Sequence, residues 1–267
     1  MFLTKAQVEA YDRDGFLILP NLVSKDEVAL IKQGLARAAQ VDDDRIIREK
    51  GGGAARMIYG MDDLSGPTGC AATEALSRSN RLLQAARDVL RDEVYLFHIK
   101  ANFKEAITGQ IWQWHQDFGY WRTDGLREPR LVTTMLMLDK ATELNGCLYF
   151  VPGSHKEGTI DAPYDDKTTS VGLWTLSKEQ QTDLVNRRGE PVPVIGEPGT
   201  VAMFHPDTVH GSGHNMSTHA RWQMYFVYNA VSNVMQPVPK PRPAYKANRN
   251  NVALQIRAKE SILEPAE

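Results

Sequence analysis

The feature that most constrains this fold is a change of rhythm at Glu93. From there the chain runs through short β-branched or aromatic stretches, Val94–Phe103, Ile111–Phe118, Arg130–Leu138, Cys147–Val151, Thr200–Phe204 and Arg221–Asn229. Gly, Pro and Asn turns separate them, which is the signature of antiparallel strands. Before Glu93 the signals are mostly helical. Thr4 with Gln7 and Ser24 with Glu27 read as capping boxes. The first opens a short helix that ends near Gly15. The second opens a longer one with Val28, Ile31, Leu35 and Ala38 on one face. Phe16–Leu19 reads as a buried strand stopped by Pro20, and a further helix is expected over Thr73–Leu90. Helices first and many short strands later predict a mainly β protein with flanking α-helices, a double-stranded β-helix or cupin-like jelly roll. It is read as a single domain over 1–267, helical over roughly 1–92, with the jelly-roll core over roughly 93–235.

Two stretches fall outside this pattern. Val41–Gly60 is polar and then glycine-rich, and reads as a mobile loop. A phosphate cradle there lacks both the P-loop lysine and a strand-to-helix context. Lys156–Val194 interrupts the strands, with a third capping box at Ser177 and Gln180 and a helix expected over Ser177–Arg187. Both stretches are candidate lids.

Composition excludes several classes. The 31 Lys and Arg nearly balance the 33 Asp and Glu, without the basic excess of a nucleic-acid surface. Two cysteines, Cys70 and Cys147, argue against a disulfide scaffold or a Cys-based zinc site. No apolar run approaches the roughly 20 residues of a membrane span, and Met1–Gly15 has no secretory h-region. The expectation is a cytoplasmic protein, monomer or homodimer, acting on a small molecule, with neither nucleic acid nor membrane as partner.

Trp114-His115-Gln116-Asp117 carries the chemistry. Residues two apart on a strand share a face, so His115 and Asp117 can offer a nitrogen and an oxygen to one ion while Gln116 turns away. A second histidine from another strand would complete a facial triad that leaves coordination positions open, as non-haem iron(II) oxygenases require. Of the seven histidines, His98, His155, His205, His214 and His219 compete with His210 for that place. His205 is the strongest rival. Arg221, at the head of an apolar strand, favours His210, because its planar fork suits the distal carboxylate of 2-oxoglutarate. Ser212 can add a hydroxyl. Zinc is the alternative metal.

These residues make the chain resemble the phytanoyl-CoA dioxygenase family of iron(II) and 2-oxoglutarate oxygenases, from Gly15-Phe16-Leu17-Ile18-Leu19-Pro20 to about Pro241. The specific blocks are Trp114–Phe118, then Asn145-Gly146-Cys147-Leu148-Tyr149-Phe150-Val151-Pro152-Gly153-Ser154-His155, then His210-Gly211-Ser212 with Arg221. The resemblance implies His115, Asp117 and His210 as iron ligands, Arg221 and Ser212 as the clamp on 2-oxoglutarate, and Asn102 as a further cosubstrate contact. It implies O2 as oxidant, ascorbate as reductant in vitro, and hydroxylation of an unactivated C–H bond in an amino-acid-like or secondary-metabolite substrate. Desaturation, ring formation or endoperoxidation would use the same iron. A metal-binding jelly roll without oxygenase activity is the reading from a different class.

Within the family the motifs are similar to the ectoine hydroxylase branch, through Trp121, Asp124, Gly125, Phe226 and Asn229. The chain departs from that branch at Gly119, Tyr120 and His98, where a substrate pocket is expected. Candidate substrate contacts are Arg56, Trp121, Tyr120 and Phe226. For Arg56 a solvated loop position competes with a contact to an acidic substrate group, and for Trp114 an outer-face core position competes with one near the metal.

Overall fold

Helix α1 (Lys5–Asp14) starts where the Thr4 hydroxyl accepts the Gln7 N–H, and ends at Gly15, whose φ of 82° closes the last turn. The computed structural model describes residues 1–49, 53–168 and 171–263. Strand β1 (Phe16–Leu19) and helix α2 (Lys25–Ala38) follow as expected, with Ser24 and Glu27 forming the second capping box.

The stretch read as a mobile loop is largely a hairpin. Strands β2 (Ile46–Arg48) and β3 (Ala55–Tyr59) pair with each other, and β3 continues the sheet through Met57↔Asn102 and Tyr59↔Lys100. All five β3 side chains are buried, which compensates for the polar composition around them. Gly51 and Gly52, part of the glycine run, lie outside the described residues. The helix expected over Thr73–Leu90 is two helices, α3 (Ala71–Ser77) and α4 (Asn80–Leu90), because Ser79 takes an extended backbone at the start of α4.

The strand-rich half follows as β4 (Val94–Lys104), β5 (Trp112–His115), helix α5 (Asp117–Trp121), β6 (Leu131–Met137) and β7 (Leu148–Phe150). Lys156–Val194 then supplies a small hairpin, β8 (Tyr164–Asp165) with β9 (Leu173–Trp174), then α6 (Lys178–Arg188), capped as predicted by Ser177 and Gln180. Strands β10 (Val192–Val194), β11 (Val201–Phe204), β12 (His210–Ser212) and β13 (Arg221–Ala230) complete the series. Among the described residues the large sheet has the order β1-β11-β6-β13-β4-β3-β2, and a second sheet has the order β10-β7-β12-β5.

Alternation along two long strands decides what reaches the interior. On β13, Met224, Phe226 and Tyr228 join the core under α2 and α4, with Ile31, Leu35, Leu82 and Leu83. Arg221, Gln223 and Tyr225 point the other way, and Tyr225 packs between the sheets with Met135, Leu148 and Phe150. Phe226 is therefore not a substrate contact; it is fully buried on the helix side of the sheet. On β4, Ile99, Ala101 and Phe103 also face the helices, which leaves His98, Lys100, Asn102 and Lys104 on the inner face.

Candidate active site

The metal motif straddles an element boundary. Strand β5 ends at His115, Gln116 remains extended (φ −115°, ψ 131°), and Asp117 opens α5. Extended backbone through Gln116 keeps His115 and Asp117 on one side, although Asp117 is not itself in a strand. Gln116 turns away and is buried. Its amide donates to the Gly158 and Asp207 carbonyls at 2.9 and 2.8 Å, and its oxygen accepts the Ile160 N–H at 2.7 Å. It thereby ties the metal strand to the start of the 156–194 insertion.

Strand β12 brings His210 directly opposite His115, ring centroids 4.2 Å apart. One ligand atom from each of His115, Asp117 and His210 falls within 4.8 Å of the others, and this trio is the group of metal-ligating side chains that the described residues assemble. His115 Nε2 lies 3.8 Å from Asp117 Oδ1. Each imidazole is oriented by a carbonyl two residues back, His115 Nδ1 at 2.6 Å from the Gln113 oxygen and His210 Nδ1 at 2.9 Å from the Thr208 oxygen. A carbonyl only accepts, so Nδ1 carries the proton and Nε2 presents its lone pair to the pocket. Burial, with His210 alongside, lowers the His115 pKa to about 3. Burial alone would raise Asp117, but Lys100, His210 and His115 together hold its carboxyl below the usual range. Two neutral imidazoles and one carboxylate form the donor set of an open iron(II) site, and the three ligand atoms lie close enough together for the residues to fit that ion.

A β-bulge shapes the floor beside it. Between His210 and Ser212 the β5 partners jump from His115 to Trp112, so Trp112 faces the same cleft as His115. Trp114 is turned outward against Val151, Leu176 and Val209, the outer-core alternative. Arg56 corrects the reading as a solvated loop residue. It is fully buried on β3, its guanidinium 4.5 Å over the Trp112 ring, paired with Glu49 at 3.1 Å and bonded to the Ile111 carbonyl. With its charge so committed, it braces the pocket wall.

Arg221 and Lys104 stand opposite each other on β13 and β4, Ser212 lies against Lys104, and Asn102 is the next inward residue along β4. Arg221 is 3% exposed and its Nε and Nη1 have no hydrogen-bond partner; the Asn102 carbonyl oxygen has none either. Buried donors without acceptors are costly unless a ligand supplies them, and a carboxylate bound along one edge of the guanidinium would supply an acceptor. Lys104 Nζ sits 2.7 Å from Ser212 Oγ.

The cleft beyond the metal is small, with a cavity volume of about 100 Å3, and it opens to the surface. Tyr59, Tyr120 and Trp121 line it, as do Leu173 of the β8–β9 hairpin and Arg242 and Lys246 of the C-terminal segment. The Tyr120 ring lies 5.6 Å edge-on to Trp174 and 4.6 Å below the Arg242 guanidinium, which pairs with Asp124 at 2.8 Å. Lys246 Nζ stands 5.6 Å over the Tyr59 ring. His98 does not line the cleft; it is buried against Tyr59 and Trp121, with Nδ1 3.1 Å from the Lys246 carbonyl oxygen.

The phytanoyl-CoA dioxygenase family model matches residues 11–222, most of the chain. The chain belongs to that family. This phytanoyl-CoA dioxygenase family member is 33% identical over 265 residues to an ectoine dioxygenase of Sphingopyxis alaskensis, covering 94% of this chain and 85% of the relative. It is 30% identical over 251 residues to an L-proline trans-4-hydroxylase of Streptomyces griseoviridis, covering 90% and 91% of the two chains. A crystal structure of EctD from S. alaskensis with 2-oxoglutarate and 5-hydroxyectoine superposes with a TM-score of 0.81 at 33% identity, over 95% of this chain and 87% of that one. The protein is thus an iron(II)- and 2-oxoglutarate-dependent oxygenase with the jelly-roll fold of its family.

Tyr225, Arg242 and Lys246 escaped identification as site residues from sequence, while Lys100 and Lys104 were only alternatives to Arg221 as cosubstrate contacts. For the two β4 lysines the signal existed: Phe97-His98-Ile99-Lys100-Ala101-Asn102-Phe103-Lys104 alternates apolar and polar without a break. Arg242 and Lys246 follow a proline-rich stretch with no periodicity, and nothing local marks them.

Proposed function

We propose that this enzyme hydroxylates a small carboxylate-bearing substrate, with His115, Asp117 and His210 holding the iron and Arg221, Ser212 and Asn102 holding 2-oxoglutarate. With iron(II) and 2-oxoglutarate bound, the site would activate dioxygen as the oxidant, one oxygen atom entering the unactivated C–H bond and the other entering succinate as carbon dioxide leaves. The protein's part is to position and to exclude water. The triad lies at the base of the cleft, and the Tyr120–Trp174 contact closes it on the side of the β8–β9 hairpin. Lys100, 4.0 Å from Asp117 Oδ1, keeps that carboxylate ionised.

The observation that carries the substrate class is the charge of the cleft. Lys246 and Arg242 line its outer half among aromatic rings; Asp124 pairs with Arg242, and Lys246 has only the more distant influence of Asp44, with no carboxylate bonded to it among the described residues. An anionic group on the substrate supplies the missing counter-charge. Ectoine and L-proline, the compounds named for two relatives, are both small and carry a carboxylate. Tyr120 and Gly119 differ from the ectoine branch at this wall, which supports a substrate other than ectoine.

The test is succinate release with iron(II) and ascorbate across amino acids and cyclic amino acids, each paired with its carboxamide or methyl ester. Free acids should drive release above the substrate-free rate. Equal turnover of an acid and its neutral amide would refute the substrate class.

A further inference from the structure

The acid-free environment of Lys104 carries a second role in the cosubstrate pocket. Lys104 is 3% exposed, at the inner end of β4 opposite Arg221. Its Nζ meets three protein oxygens: Ser212 Oγ, the Gly213 carbonyl and, at 3.4 Å, the Gly146 carbonyl. The charged or titratable groups acting on it are Arg221, Arg56 and the Cys147 thiol. Arg56 is neutralised by Glu49, and burial pushes the Cys147 thiol up. No carboxylate acts directly on Lys104.

The hydrogen-bond arithmetic at Ser212 then depends on one proton. An ammonium has three donors and no acceptor. With three oxygens around it, it donates to Ser212 Oγ, and the Ser212 hydroxyl proton must point elsewhere. A neutral amine has two donors and one lone pair. It serves the two carbonyls and accepts from Ser212, which turns the hydroxyl away from the pocket.

We propose that Lys104 is a positioning residue for the cosubstrate: protonated, it turns the Ser212 hydroxyl toward the distal carboxylate and places a second positive charge behind it. The inference rests on the assignment of Arg221 and Ser212 to 2-oxoglutarate made above. Desolvation first, then Arg221 and Arg56, lower the Lys104 pKa to about 6 in the free protein. Near pH 7.5 the amine is therefore mostly neutral. An arriving carboxylate favours the ammonium, so Nζ takes one proton from the buffer and the hydroxyl reverses. Cosubstrate binding is thereby linked to proton uptake above about pH 6, and the linkage fades below it.

The experiment is calorimetric titration of the Mn(II)-loaded, redox-inert protein at pH 7.5, in buffers of different ionisation enthalpy. The ligands are 2-oxoglutarate and 2-oxopentanoate, which shares the chelating keto acid end but lacks the distal carboxylate. The expected result is uptake approaching one proton with 2-oxoglutarate and close to none with 2-oxopentanoate. The 2-oxoglutarate Kd should rise by up to about tenfold per pH unit above pH 7. Lys104→Met should abolish the uptake and flatten the pH dependence, whereas Ser212→Ala should weaken binding and keep the uptake. Equal proton counts for the two ligands on the wild-type protein overturn the proposal even if Lys104→Met fails to fold. Binding that depends on Arg221 but takes up no proton sinks the role of Lys104 alone. Loss of any difference between Arg221→Ala and wild type sinks the cosubstrate assignment with it.

Discussion

Replacing Arg221 by alanine separates cosubstrate from metal. The guanidinium is 3% exposed, and its Nε and Nη1 have no protein acceptor. The metal trio does not include it. Losing one partner of a desolvated, charge-assisted pair costs about 2–5 kcal/mol. The structure places Arg221 in the upper part of that range. Both side chains are buried, and the adjacent Lys104 amine is already engaged by oxygens of Gly146, Ser212 and Gly213. About 3–5 kcal/mol corresponds to a rise of roughly 150-fold to several thousand-fold in the 2-oxoglutarate dissociation constant. Arg221→Lys should recover only part of it, since a point charge cannot reproduce a planar fork. The assay is anaerobic titration of the iron(II) protein with 2-oxoglutarate, read by the visible charge-transfer band of the chelated keto acid, beside an iron titration of the same variant. An unchanged 2-oxoglutarate midpoint in Arg221→Ala would refute the reasoning. An equal loss of iron affinity would show that the residue serves the fold instead.

Other expectations concern the rest of the molecule. His210→Ala should lose iron affinity while His205→Ala retains it, because His205 Nδ1 accepts the Asp207 N–H and its ring packs on His155 at 5.3 Å; iron titrations of the two variants decide it. Asp207 is buried and bonded through its carboxylate to the Thr159 hydroxyl at 3.0 Å, and burial raises its pKa to about 6. A carboxyl raised on folding favours the native state below its unfolded pKa, and that contribution is lost as pH climbs through 6. The melting temperature of Asp207→Asn relative to wild type should therefore improve between pH 4 and 7.5, by the equivalent of about 1–3 kcal/mol; a constant gap would contradict the assignment. Gly199 has φ +92°, and a Cβ there would collide with the Val23 carbonyl oxygen. Gly199→Ala should cost about 2–4 kcal/mol, read as a drop in melting temperature with an unchanged 2-oxoglutarate midpoint.

What was legible in the sequence followed from local chemistry. All three capping boxes form as read, because a Ser or Thr three residues before Glu or Gln satisfies orphan donors whatever the tertiary context. The long strands β4, β6 and β13 match their expected extents within one or two residues. His-x-Asp on extended backbone was legible from strand geometry, whereas the choice of His210 over His205 needed Arg221 and the family resemblance, and the structure brings that trio together. The misses came from tertiary context. Strands β2 and β3 are short apolar runs set within a polar, glycine-rich stretch, and they form against the edge of β4, a neighbour that no local window contains. The reading of Arg56 stayed divided between solvent and substrate because its stacking partner Trp112 and its ion-pair partner Glu49 come from different segments. Phe226 was taken for a pocket residue although alternation from Arg221 inward already places Tyr225, not Phe226, on the Arg221 face.

The division of labour between strands and connections has an evolutionary corollary. The proposed iron trio and 2-oxoglutarate contacts sit on β4, β5, β12 and β13 or directly at a strand end, whereas Tyr120, Leu173, Arg242 and Lys246 come from a short helix, a surface hairpin and the C-terminal segment. Connections tolerate exchange far better than paired strands do. Selection can therefore redraw the outer half of the cleft without disturbing the oxidising half, and a lineage can try new substrates while keeping a working catalyst. Grafting the 161–176 loop or the 236–249 segment between family members is accordingly a more economical route to altered specificity than any change on the strands beneath.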